Sequence, residues 1–125
     1  MLRISFHTIN LLLIIFYLFP GSILGCLFYN DCSHQPSLTN DFIISSNHFF
    51  AFGLLGIISF YSFSNQLNKI IVYTLSISVI LELSHLFIPN RTFEIKDLFG
   101  NIIGIIMSFI IYCILKKINF GGKTL

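Results

Sequence analysis

Four long apolar stretches alternate with short polar ones along the chain. They run from about Ile9 to Leu27, Phe42 to Phe63, Ile70 to Ile88 and Leu98 to Leu115. At 1.5 Å per residue each can cross a hydrocarbon core of about 30 Å, some with help from interfacial residues. Backbone groups in lipid have no water to bond, so each stretch is expected to be a helix. Only the six residues from Ser64 to Lys69, including the polar Asn65-Gln66-Leu67-Asn68-Lys69, separate the second from the third, which favours antiparallel neighbours.

Within the stretches the polar residues are not scattered. At 100° per residue, Thr74, Ser78, Glu82 and His85 fall within a sector of about 80° on the third helix. Asp97, Asn101, Gly104, Ser108 and Tyr112 share a similar sector on the fourth. The second helix carries His48, Ser59 and Ser62 on one side, and the first offers Asn10, Tyr17 and Gly21. Gly100, Gly104 and Ser108 form a ladder of small residues that lets a neighbouring helix approach closely. Each helix therefore has one face suited to protein and others suited to lipid. The fold class expected is all-α, a polytopic membrane protein folded as one compact bundle of four transmembrane helices.

Composition agrees. Of 125 residues, 55% are hydrophobic and 10% charged, where a globular domain has about 25% charged. The chain has room for four spans and little else, and the formal charge of +2 is too small to suggest nucleic acid as a partner. The bilayer is the partner expected. The placement of charge says more than its sum. Arg3, Lys69, Lys116, Lys117 and Lys123 fall on one side of a four-span chain, and only Arg91 and Lys96 on the other. Positive residues stay cytoplasmic, so both termini are expected in the cytoplasm and the 30–41 and 89–96 loops outside.

The first stretch also resembles a lipoprotein signal ending at Cys26, but Leu24 fits poorly there and the apolar run continues through Leu27-Phe28-Tyr29. A retained span is expected. Cys26 and Cys32 lie near or in the outer loop, where a disulfide and two free thiols are both chemically open. Cys113 reads as packing.

Ionisable groups within spans are costly and are functional candidates by default. Glu82 lies six residues before Ile88, roughly 9 Å inside its stretch, and His85 roughly 4.5 Å inside. His48 begins the strongly apolar part of the second stretch. His48, Glu82 and His85 are the candidate acid–base groups, because a carboxyl and imidazoles in one polar pocket are the usual material of proton transfer. Arg91, Asp97 and Asn101 are candidate substrate-binding residues with equally good structural uses. Asp97 is placed to cap the fourth helix, and Arg91 to reach the interface or to pair with Glu82, Asp97 or Glu94. Glu94 and Lys96 read as solvated loop charges. Glu82 and His85 also offer two metal-ligand types on one helical face, and His48 or Asp97 could complete a site. A di-iron bundle needs such a pair on two helices plus further carboxylates, so neither a metal nor any other cofactor is expected.

The stretch from Glu82-Leu-Ser-His85 through Pro89 and Arg91 to Asp97-Leu-Phe-Gly-Asn101-Ile-Ile-Gly104 resembles the signature of VanZ-like membrane proteins. That signature is a Glu-x-x-Gln, then Pro and Arg, then Asp-Leu-x-x-Asn-x-x-Gly. His48-Phe49-Phe50-Ala51-Phe52-Gly53-Leu54-Leu55-Gly56 is similar to the family's His-Phe-x-x-Phe-x-x-Leu-Gly element. The resemblance covers about residues 42–115. It departs at His85, where the family usually has Gln, and at Asn47, where it often has Lys. It implies a small protein of the bacterial cell envelope, and the family's founding association is with resistance to the glycopeptide teicoplanin. The function expected is binding, or acting on, a lipid-linked or envelope component at an outer-leaflet polar pocket. The competing reading is a non-catalytic scaffold that binds a membrane-protein partner. No nucleophile motif is present, so enzyme status stays open. A small transporter fits less well, since the first span carries no acid.

Overall fold

The computed structural model describes residues 1–121, and among these the regular structure is entirely helical, without strands. Five α-helices follow in order: α1 Leu2–Leu18, α2 Ile23–Tyr29, α3 Ser46–Ser62, α4 Leu67–Ser84 and α5 Ile95–Gly121. A single 3-10 turn, Ser64–Gln66, joins α3 to α4.

The first apolar stretch is not one helix. α1 ends at Leu18 because Pro20 follows, and Phe19 is accordingly extended at φ −70°, ψ 132°. Gly21 takes φ +108°, a conformation open to glycine, and the chain then re-enters a helix at an angle of 81° to α1. Ser22 caps this second helix by accepting a bond from the Gly25 N–H at 3.0 Å. α2 is tied back by a Cys26–Cys32 disulfide and by Ser22 N–H donating to Cys32 O at 2.8 Å. Of the two thiol states open from sequence, the structure has the bridge.

Other boundaries shift for similar local reasons. α3 begins at Ser46, with Asp41 Oδ1 accepting from the Ser46 N–H at 2.9 Å. α4 stops at Ser84, four residues before Ile88, and Asn90 turns the chain in the left-handed region at φ 60°. α5 begins at Ile95, which puts Asp97 inside the first turn rather than at the cap. An acid there still complements the helix dipole.

α3 and α5 form the tightest pair. A Cβ added at Gly104 would lie 2.4 Å from Phe49 O, and one at Gly100 would lie 2.8 Å from Ser45 O. Ser108 Oγ donates across the interface to Gly53 O at 2.6 Å. The ladder expected from sequence thus packs against α3, where small side chains let the two backbones meet. Around this pair Phe52, Leu55, Phe60, Ile105 and Tyr112 form the buried core. The interior faces of α4 and α5 are polar in the expected positions, with Thr74, Ser78, Glu82, Asn101 and Ser108 all buried.

The outward faces of α1, α4 and α5 expose large apolar side chains such as Leu11, Ile15, Val72, Ile80, Ile106 and Ile110. That surface suits a bilayer, and the chain is a membrane protein. Residues 64–84 and 95–119 are long and apolar enough to cross alone, and α1 with α2 passes the same test only as a bent pair. α3 has 17 residues.

Candidate functional site

The site lies at the bundle end where α1 breaks, α3 begins, α4 stops and α5 starts. Each terminus supplies a polar side chain. Tyr17 comes from the last turn of α1, His48 from the first turn of α3, Glu82 from the last turn of α4, and Asp97 and Asn101 from the start of α5. Glu82 is therefore near its helix end and not deep inside a helix, as its distance from Ile88 had suggested. It is nevertheless fully buried, because the segment after α4 folds back over it. The Glu94 N–H reaches Glu82 Oε1 at 3.3 Å from that segment.

Tyr17 is the hub. Its hydroxyl is 2.8 Å from Asn101 Oδ1 and 2.6 Å from His48 Nδ1, and His48 Nδ1 is itself 3.1 Å from Asn101 Oδ1. A carbonyl oxygen only accepts, so the Tyr17 O–H donates to Asn101. His48 then carries its proton on Nδ1 and donates it to the Tyr17 oxygen. Nε2 of His48 is left with a lone pair, 3.5 Å from Asp97 Oδ2.

His85 caps the C-terminus of α4 and stacks on the Tyr17 ring, with centroids 5.3 Å apart. Its Nε2–H donates to Tyr17 O at 3.2 Å, which leaves Nδ1 facing Glu82 Oε1 at 3.3 Å. The other carboxyl oxygen, Oε2, is buried with no hydrogen-bond partner, 3.7 Å from His48 Nδ1.

Arg91 stands beside this network and not in it. Its Nη2 donates to Phe16 O at 2.8 Å and its Nε to Phe19 O at 3.3 Å, binding the frayed carbonyls at the end of α1. The pairs with Glu82, Asp97 or Glu94 that sequence left open do not form. Glu94 pairs instead with Lys96 at 3.1 Å on the surface. Burial pulls the Arg91 guanidinium below its usual value, opposed by the negative fields of Glu82 and Asp97. A guanidinium remains charged throughout.

A cavity of about 470 Å³ opens onto the cluster between the α1–α2 bend and α3. Its walls are chiefly apolar, including Phe16, Leu24, Phe28, Phe50 and Leu54, and its polar lining includes His48, His85 and Arg91. Glu82, Asp97 and Asn101 are absent from that lining and sit behind His48. The structure thus gathers His48, Glu82, His85, Asp97 and Asn101 into one network and leaves Arg91 at the cavity wall. A model of the VanZ/LLP1 family matches residues 3–116. The chain belongs to this family. Searches of the curated proteins and of the solved structures gave no match.

The VanZ/LLP1 match extends well beyond the 42–115 motif region and takes in α1. Tyr17, which holds the site together, lies in that added part. Sequence reasoning placed Tyr17 on the polar side of its helix without assigning it to the site. The available signal was an aromatic hydroxyl inside an apolar run, which when buried needs a partner.

Proposed function

We propose that this VanZ/LLP1 protein spans the bacterial plasma membrane four times, with both termini cytoplasmic and the site in the outer leaflet half. There it holds a lipid-linked component of the cell envelope. The apolar part of the ligand lies along Leu24, Phe28, Phe50 and Leu54, and its polar end meets His48, His85 and Arg91. One observation carries this reading: an apolar cavity ends on two imidazoles and a guanidinium, with the buried Glu82 carboxyl and the partly buried Asp97 carboxyl behind them. Such a pocket matches an amphiphile better than a wholly polar solute.

In this reading His48 exchanges protons with the ligand, while Glu82 and His85 form the buried polar pair beside it. Asp97 and Asn101 orient His48, and Arg91 draws an anionic group toward the cavity mouth. Glu82 has no direct path to a ligand, and this favours holding over turnover. Charge asymmetry supports the orientation, since Arg3, Lys69, Lys116 and Lys117 gather at the opposite end of the bundle. The link to teicoplanin-type resistance rests on the family alone.

Mass spectrometry of lipid retained by protein extracted in native membrane discs tests the reading. The wild type should be enriched in one envelope lipid, and Ala51→Trp, which fills the cavity, should lose that enrichment. Identical lipid in both, in bulk-membrane proportions, refutes it. Turnover of an envelope lipid that persists in Glu82→Gln would exclude Glu82 as the acid–base group. Teicoplanin susceptibility of cells expressing the wild type and His48→Ala tests the resistance link.

A further inference from the structure

We infer that His48, Glu82 and Asp97 form a binding site for a divalent transition cation, with zinc the natural probe. One atom from each residue lies within 4.8 Å of the others. For metal–ligand bonds of about 2.0–2.2 Å, neighbouring ligands in a tetrahedral site are about 3.4 Å apart. His48 Nε2 lies 3.5 Å from Asp97 Oδ2, whereas Glu82 Oε2 lies 3.7 Å from Nδ1 of the same ring, so the Glu82 carboxyl must rotate toward Nε2 to complete the geometry.

Three features point to a cation there and do not depend on proximity alone. Glu82 Oε2 is fully buried and without a hydrogen-bond partner, 3.7 Å from the Nδ1 edge of the His48 ring. His48 Nε2 presents a lone pair to Asp97 Oδ2, an arrangement that repels unless a positive centre lies between them. His48 Nδ1–H is held by the Tyr17 hydroxyl, and metal-binding imidazoles almost always donate their second nitrogen in this way. No lysine or arginine among the described residues forms an ion pair with Glu82 or Asp97. One imidazole and two carboxylates suit zinc, manganese or iron(II), and zinc binds such sets more tightly than the other two.

The Glu82–His85 pair considered from sequence is not the ligand pair, since His85 turns toward Tyr17 O and Glu82 Oε1. The same carboxyl offers its second oxygen to the cation. Three protein ligands leave one tetrahedral position open toward water or a ligand group. A cation at His48 would replace the proton exchange proposed for that residue but leaves lipid holding by the cavity untouched, and it is tested without lipid.

The test uses detergent-purified protein carrying a tag without histidine, stripped with a chelator and dialysed against Zn2+. Elemental analysis should then find about one equivalent in the wild type, and added Zn2+ should raise the unfolding temperature. Asp97→Asn and Glu82→Gln should lose both effects, while a His7→Ala, His34→Ala, Cys113→Ser triple variant should keep them. Tyr17→Phe keeps all three ligands but frees the imidazole, so its Zn2+ affinity should fall about 10–100-fold. Co2+ in the wild type should give the visible absorption of a tetrahedral site. Wild type that takes up no cation overturns the proposal and leaves a proton in the same place. Stoichiometric zinc retained by Asp97→Asn, or lost by the triple variant, also overturns it. If Asp97→Asn or Glu82→Gln fails to fold, wild-type stoichiometry and the Tyr17→Phe shift decide.

Discussion

Replacing Gly104 with Ala should damage the protein far more than replacing Gly53, although the two glycines face each other across the same interface. At Gly53 a new Cβ would find its nearest neighbour 3.8 Å away, an ordinary contact. At Gly104 it would lie 2.4 Å from Phe49 O and 3.0 Å from Gly53 N, both backbone atoms that no rotamer change can move aside. Restoring normal contact requires α3 and α5 to separate by about 1 Å, and forced overpacking of this kind costs about 1–3 kcal/mol. Gly53→Ala incurs no such cost, and the helix-propensity gain of about 0.5–1 kcal/mol is common to both variants and cancels. The variants should therefore differ by about 1–3 kcal/mol. Separation would also stretch the Ser108–Gly53 bond of 2.6 Å and, one turn further on, the 3.1 Å approach of His48 to Asn101. Unfolding by titration with a denaturing detergent, followed by circular dichroism, measures the difference. Equal stability of the two variants would refute the idea that backbone proximity sets the α3–α5 packing.

Other consequences are open to direct measurement. The Cys26–Cys32 bridge closes a short loop, and chain-entropy reasoning gives it about 2–3 kcal/mol, so reductant should lower the unfolding temperature of wild type and leave Cys26→Ser/Cys32→Ser unchanged. The Ser46 N–H holds the Asp41 carboxyl below its ordinary value, so the stabilisation is present above about pH 4 and is lost as pH falls through the lowered value. Amide exchange at the start of α3 should accelerate below that point in wild type, and an acid-independent rate at Ser46 would contradict the linkage. For orientation, Thr92→Cys in a Cys113→Ser background should react with an impermeant maleimide in intact cells, whereas Lys117→Cys should react only after lysis. Reversed labelling would invert the topology.

Hydrophobic patterning alone determined that this chain is helical and belongs in a membrane, because lipid leaves the backbone few alternatives. Periodicity likewise placed Ser78, Glu82, Asn101 and Ser108 on interior faces, since side-chain direction follows from helix geometry. The motif residues were legible as family markers. Three things were not. The break at Phe19–Ser22 is signalled by Pro20 and Gly21, but the 81° re-entry of α2 depends on Gly25 lying against His34 O and on the bridge to Cys32. The burial of Glu82 owes nothing to depth along its helix and comes from the Ile88–Glu94 segment returning over it. The partners of Tyr17, His48 and Arg91 lie as many as 84 residues away in the chain, as Tyr17 and Asn101 do, so no local pattern contains them. Local propensity decides which way a side chain points, whereas its charge neighbours are set by how helix ends meet, and that is a property of the assembled bundle.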